Sequence, residues 1–168
     1  MAADRPVINL VPALAGHFAA LMVGHDRFER EFGWRVQESY LEFPEALPWM
    51  HAEHQSGRMA SPWCTYLLVA LESKSLIGLA GFKGVPVEGM VEIGYGIARA
   101  YRNRGIATDV VGQLLVIAST GGVRVVEART LPEPNASTTV LERSGFAYVG
   151  VVNDPNDGPV FLWRRLID

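Results

Sequence analysis

The chain has a single cysteine, Cys64, among 168 residues. No disulfide can close within it, and the sequence reads as that of a reducing, cytoplasmic compartment. As for Cys64 itself, a nucleophile would need a basic partner that the sequence does not identify, and a small core residue is the favoured reading. Charge is also scarce. Charged residues make up 20%, and 15 Lys and Arg against 18 Asp and Glu leave a net charge of −3. A broad nucleic-acid surface needs a basic excess, so no nucleic-acid partner is expected. Long apolar runs are missing too. The longest helical apolar stretch, 110–118, is interrupted by Gly112 and Gln113 and is far short of the ~18–20 residues that cross a bilayer. The N-terminus lacks the charged, apolar, small-residue order of a signal peptide, so no membrane association is expected. The "HAEH" at 51–54 is not the H-E-x-x-H zinc pattern, and no third ligand is evident, so no metal is expected. There is no internal repeat, no low-complexity tract and no G-x-x-x-x-G-K-[ST]. The nearest approach to a dinucleotide fingerprint, "GYGIAR" (94–99), lacks its third glycine and lies within a strand-like run.

The chain does contain enough apolar residues, 49%, for one well-buried core, and the length predicts a single domain over 1–168. Apolar periodicity gives an opening strand at 6–12 and helical spacing over 13–23 and 25–34. Helical character continues through 36–57, where Pro44 and Pro48 are expected to break or kink it. The period then changes to strands at 63–72 and 75–84, read as a hairpin, and another at 89–97. A helix over 108–119 ends at glycines, a strand follows at 123–130, and a helix runs from about Asn135 to Ser144. Two last strands flank "PNDG", which has hairpin-turn chemistry. The order predicts an α/β architecture around a mixed sheet of about seven strands and about four helices.

One turn stands out. "AYRNRGIATD" (100–109) joins a strand to a helix and places Arg102 and Arg104 on either side of Asn103, next to Gly105 and Ala107. The first N–H groups of a helix have no intrahelical partner, and the dipole makes that end partly positive. Such an end receives phosphate where side chains leave room, and arginines add charge around it. A surface turn with solvated arginines is the alternative.

"RNRGIA" (102–107) matches the R/Q-x-x-G-x-G/A signature of the GNAT superfamily of acetyl-CoA-dependent N-acetyltransferases. The flanking "VEIGYGIARAYRNRGIATD" resembles the branch of ribosomal-protein N-terminal acetyltransferases and their small-molecule relatives. So do "LPEPNASTTVLERSGFAYVG" (131–150) and the closing "DPNDGPVFLWRRL". The resemblance implies a mostly antiparallel GNAT sheet, acetyl-CoA as co-substrate and no metal. Backbone N–H groups of Arg102, Asn103, Arg104, Gly105, Ile106, Ala107 and Thr108 would hold the pyrophosphate. Gly96 and Ile97, at the end of the preceding strand, would pair by backbone with the pantetheine arm, which requires an opened strand edge.

Amine acetylation needs a neutral amine, and an alkyl ammonium of pKa near ~10 must lose a proton first. Glu92 is the candidate base. On a strand it shares a face with Gly94 and Gly96 while Val91, Ile93, Tyr95 and Ile97 take the other; a structural carboxylate is the alternative. The second cofactor helix carries no tyrosine, and Ser137 stands at the serine position of the resembled branch as a candidate partner for the coenzyme A sulfur. Local backbone bonding is the other reading of Ser137. Asn135 lies two residues before Ser137 where three is commoner, with Pro134 in the usual place, and it reads either as a cofactor contact or as a helix cap. On the acceptor side, Phe28, Phe32, Trp34, Tyr40, Phe43 and Trp49 either line a pocket or pack on the sheet. The expected partner is an amine-bearing small molecule or a protein N-terminus, with a homodimer left open. A noncatalytic acyl-CoA-binding sensor or regulatory module is the rival reading, and the presence of Glu92 and Ser137 favours the enzyme.

Overall fold

The computed structural model describes residues 5–168. Its core is a mixed sheet in which strands of the order β1-β3-β4-β5-β6-β8-β7 lie side by side. The strands are β1 (Ile8–Pro12), β2 (Arg35–Val36), β3 (Thr65–Ala70), β4 (Ser75–Phe82), β5 (Met90–Ile97), β6 (Val125–Thr130), β7 (Ala147–Asp154) and β8 (Gly158–Leu166). The helices are α1 (Ala15–Val23), α2 (His25–Phe32), α3 (Leu47–Gln55), α4 (Ile106–Thr120) and α5 (Ala136–Arg143). Neighbours on the main path are antiparallel except β5 and β6, which run parallel. The mostly antiparallel α/β fold expected from the sequence is therefore present, with one more helix and one more short strand.

Both extras lie in 35–57. Arg35–Val36 forms β2 by pairing in parallel with Ser75 and Leu76 of β4, a partner some forty residues away that no local pattern announces. The predicted helical stretch narrows to α3, preceded by a short 3-10 turn at Pro44–Ala46. Pro44 and Pro48 break nothing. Each sits in the first positions of its element, where a missing N–H costs no intrahelical bond.

Strands β3 and β4 are buried along their whole length because helices cover both sides of the sheet. On one side α4 and α5 press Val110, Val111, Leu114 and Leu141 against Leu68, Ile93, Val126 and Ala128. On the other, α1–α3 press Phe18, Leu21, Phe28 and Leu47 against Leu67, Val69, Leu76 and Leu79. Fully burying such side chains contributes about 1.5–3 kcal/mol each. Cys64, 1% exposed, is part of the α4-side core, and burial pushes its thiol up. Tyr40 is buried in the opposite core, whereas Phe43 and Trp49 remain exposed.

Two histidines fasten the α1–α3 layer. His17 Nδ1 accepts the Leu14 N–H at 2.9 Å, and its ring lies 4.5 Å from that of Phe32. His54 Nδ1 lies 2.8 Å from the Met50 carbonyl and Nε2 accepts the Thr65 N–H at 3.3 Å, so the proton belongs on Nδ1. Burial holds both below the ordinary histidine value. The unfolded chain, titrating near ~6.5, binds these protons first. Their contribution is thus complete above that pH and is lost as the pH falls through the lowered folded values. Thermal melts should show Tm falling as pH drops from about 7 to 5, with a shallower fall in His17→Gln; an unchanged slope would remove His17 from this account.

Candidate active site

Strand β5 pairs with β6 only from Met90 with Val125 to Ile93 with Ala128. Its pairing with β4 continues to Ile97. Beyond Ile93 the β6-facing edge of β5 has no strand partner among the described residues, so the parallel pair opens into a cleft. The alternation of antiparallel bonds fixes which groups look into it. Lys83 N–H donates to the Glu92 carbonyl at 2.9 Å and Ala98 N–H to the Ile77 carbonyl at 2.7 Å, so the backbone groups of even-numbered β5 residues face β4. Those of Tyr95 and Ile97 face the cleft. Gly96 directs its backbone to β4 and leaves open space where a side chain would be, with nothing within 4 Å of a Cβ built there. Strand β4 approaches closely on the other side: a Cβ on Gly78 would lie 2.1 Å from the Gly96 carbonyl oxygen.

The turn after β5 lies at the mouth of this cleft. A short 3-10 turn at Arg99–Tyr101 is followed by extended Arg102, then by Asn103 (φ 61°) and Gly105 (φ 76°), both left-handed. Gly105 caps α4, and the first backbone bond of the helix runs from the Asp109 N–H to the Gly105 carbonyl at 3.2 Å. The N–H groups of Asn103, Arg104, Gly105, Ile106, Ala107 and Thr108 have no protein acceptor among the described residues. Several donors converging at the start of a 15-residue helix form an anion cradle. The arginines frame it differently. Arg102 Nε donates back to the Ile97 carbonyl at 2.9 Å, and the Arg104 guanidinium lies 5.4 Å from the Tyr101 ring centroid.

A third arginine lies here that the sequence did not point to. Arg5 Nη1 would be 3.0 Å from a Cβ on Gly105, and its Nε pairs with Asp109 at 3.1 Å, both side chains about half exposed. Arg5 comes from the segment before β1, about a hundred residues from the turn, so no local motif could have revealed it.

Across the cleft, α5 begins at Asn135, whose Oδ1 accepts the Thr138 N–H and whose own N–H donates to Thr138 Oγ1, both at 3.1 Å. Its Nδ2 donates to the Glu133 carbonyl. A helix cap accounts for the two bonds with Thr138. Ser137, half-buried in the first turn, accepts through its carbonyl from the Tyr95 hydroxyl at 3.3 Å. Burial pushes the Tyr95 phenol up to about 12, so it is a proton donor at any working pH. The sequence placed Tyr95 only on the face of the strand opposite Glu92. Its contact with the second element depends on how α5 docks.

Glu92 lies on the opposite face of β5, next to Glu127 of β6 in register. Its Oε1 accepts from Lys83 Nζ at 2.8 Å, and its Oε2 lies 3.8 Å from Arg129 Nε. Arg129 in turn donates through Nη1 to Asp154 at 2.7 Å. The Asn156 and Asp157 N–H groups and Arg129 hold the Asp154 carboxyl below its usual range. Above the same face, the loop after β2 is tied to the end of β5 through Ser39 Oγ, which accepts the Arg99 N–H at 2.9 Å. No cluster of three or more His, Cys, Asp or Glu able to hold a metal occurs among the described residues. No helix among them is long and apolar enough to cross a membrane.

The chain matches the acetyltransferase (GNAT) domain family over residues 9–147 and belongs to that family. An uncharacterised N-acetyltransferase of Bacillus subtilis, YjdG, is 27% identical over 121 residues, which span 70% of this chain and 72% of that protein. Among solved structures, the ribosomal L7/L12 alpha-N-protein acetyltransferase RimL in complex with coenzyme A superposes with a TM-score of 0.68 at 18% identity, covering 100% of this chain and 97% of that one. Spermidine N-acetyltransferase from Vibrio cholerae gives 0.67 at 16% identity, covering 95% and 93%. These two structures share the fold.

Proposed function

We propose that this chain, as one unit over 1–168, is an acetyl-CoA-dependent N-acetyltransferase that transfers acetyl directly to a primary amine, either of a small molecule or of a protein N-terminus. The observation that carries this reading is the cleft between β5 and β6, with unpartnered backbone donors at its mouth. Bound acetyl-CoA supplies an activated acyl group. The N–H groups from Asn103 to Thr108 receive its pyrophosphate, and the cleft-facing edge at Tyr95 and Ile97 receives its pantetheine arm as an added strand. Gly96 keeps that approach clear of side chains. Similarity to RimL, at 18% identity, supports the fold that this reading needs.

Two faces of the sheet then divide the work. Glu92, one oxygen held by Lys83, keeps Oε2 for the incoming ammonium and takes its proton directly or through water. The nitrogen lone pair attacks the thioester carbonyl and a carbon–nitrogen bond forms, the carbon–sulfur bond breaks, and the proton that the nitrogen sheds as it becomes an amide goes to the leaving sulfur. Ser137 bonds the leaving sulfur, and the neutral Tyr95 hydroxyl holds the Ser137 turn in place. This assignment favours an enzyme over a noncatalytic sensor, which would need neither group.

Two measurements test it. Thiol release from acetyl-CoA with an amine panel should detect turnover in the wild type and a drop of about 10-fold or more in kcat in Ser137→Ala, with little change in acetyl-CoA affinity. Intact turnover would return Ser137 to local bonding. Arg5→Ala should weaken acetyl-CoA by about 10-fold in calorimetric titration, since a charge-assisted bond to phosphate is lost. Equal affinity would leave Arg5 as a partner of Asp109 alone.

A further inference from the structure

The acceptor face of the sheet favours one chemistry of amine over another. Between the end of the α1–α3 layer and the β6–β8 pair, glycines clear part of its floor: Gly96 has open space on this face, and the Lys83 side chain passes beside Gly94. At one end stand Lys83, Glu92, Arg129 and Asp154, with Glu127 and Arg164 in the next register position. All three carboxylates are already matched. Glu92 has Lys83 at 2.8 Å, Asp154 has Arg129 at 2.7 Å, and Glu127 has Arg164 at 2.6 Å. Among the described residues Glu92 Oε2 accepts no hydrogen bond, and spare donor capacity lies beside it. Arg129 Nε is buried and has no hydrogen-bond acceptor, its distance to Glu92 being too long for a bond. The Lys83 ammonium has three donors, one acceptor within reach, and a side chain 56% exposed.

The geometry points to an acceptor that carries a carboxylate close to its primary amine, a small zwitterion of amino-acid type. This rests on the acetyltransferase reading above and deepens it. The ammonium of such a molecule meets Glu92 Oε2, and its carboxylate takes the spare donors of the Lys83 ammonium and of the solvent-facing part of the Arg129 guanidinium. A charge-assisted bond to a substrate carboxylate is the kind of contact that discriminates between substrates. A polyamine brings two or more positive charges to a floor whose carboxylates all have partners. A peptide N-terminus offers an amide carbonyl in place of the carboxylate and forfeits the charge-assisted bond.

The test is thiol release by the full chain with matched pairs, each α-amino acid against its α-carboxamide, alongside spermidine and a short blocked-end peptide. Acetyl-CoA binding is measured separately by calorimetry. The expected result is a preference of about tenfold or more in kcat/KM for the carboxylate over its amide. That ratio should fall towards parity in Arg129→Gln and recover partly in Arg129→Lys, with acetyl-CoA affinity unchanged. Should Arg129→Gln not fold, Lys83→Gln at the exposed end of the floor carries the same comparison. Amides or spermidine turned over as well as the amino acids would overturn the inference. So would a protein that binds acetyl-CoA and acetylates no amino acid. Failure to bind acetyl-CoA overturns the acetyltransferase reading itself and is distinguished by the calorimetry.

Discussion

Gly105→Glu is expected to abolish acetyl-CoA binding in a protein that still folds. Gly105 is in the left-handed region at φ 76°, caps α4, and belongs to the run of residues whose N–H groups have no acceptor. A glutamate there places negative charge where the pyrophosphate is to lie and offers Arg5 a competing partner, with its Cβ 3.0 Å from Arg5 Nη1. The backbone strain alone costs about 1–2 kcal/mol, a loss most domains survive. Calorimetric titration should show at least a ~100-fold weaker Kd, equivalent to about 2.7 kcal/mol. Gly105→Ala carries the same strain without the charge and separates the two effects: a modest loss in Ala and complete loss in Glu marks an anion site. Equal affinities in all three proteins would show that the turn takes no phosphate.

Glu92→Gln is expected to lower kcat by about 10²–10⁴ and to flatten the rise of rate with pH, while acetyl-CoA affinity stays near wild type. The amide keeps the shape of the side chain and an acceptor for Lys83 but cannot take a proton. A purely structural carboxylate makes a different forecast. Removing its charge leaves Lys83 without its counter-charge and Arg129 with Asp154 alone, so Tm drops while kcat and the pH profile hold. Measuring rate against pH and Tm on the same variant distinguishes the two. The partly exposed pair with Lys83 limits the stability effect to about 1 kcal/mol or less.

Much of this was legible in the sequence because it is local. The helix and turn from Arg102 onward follow from a glycine, small neighbours and an apolar period, and a helix cap was one of the two readings of Asn135. Strand alternation placed Glu92 with Gly94 and Gly96, opposite Tyr95. What stayed hidden depends on chain segments that meet only after folding. β2 exists because Ser75 and Leu76 offer an edge to Arg35 and Val36. Arg5 reaches the turn only once β1 has docked beside β3. The partnering of Glu92 by Lys83 and Arg129 needs β4, β5 and β6 in register, and Tyr95 meets Ser137 only when α5 has packed. Pro44 and Pro48 were misread for a related reason: proline breaks a helix interior but starts one well, and the pattern did not locate the start.

The central claim is that the cleft and the turn after β5 hold acetyl-CoA. Calorimetric titration of the wild-type chain with acetyl-CoA tests it most directly. The account predicts saturable binding at one site per chain, weakened by added salt because phosphates are being held by cations and helix donors. No heat and no saturation in a folded protein would contradict it, and the roles given to Glu92 and Ser137 would fall with it.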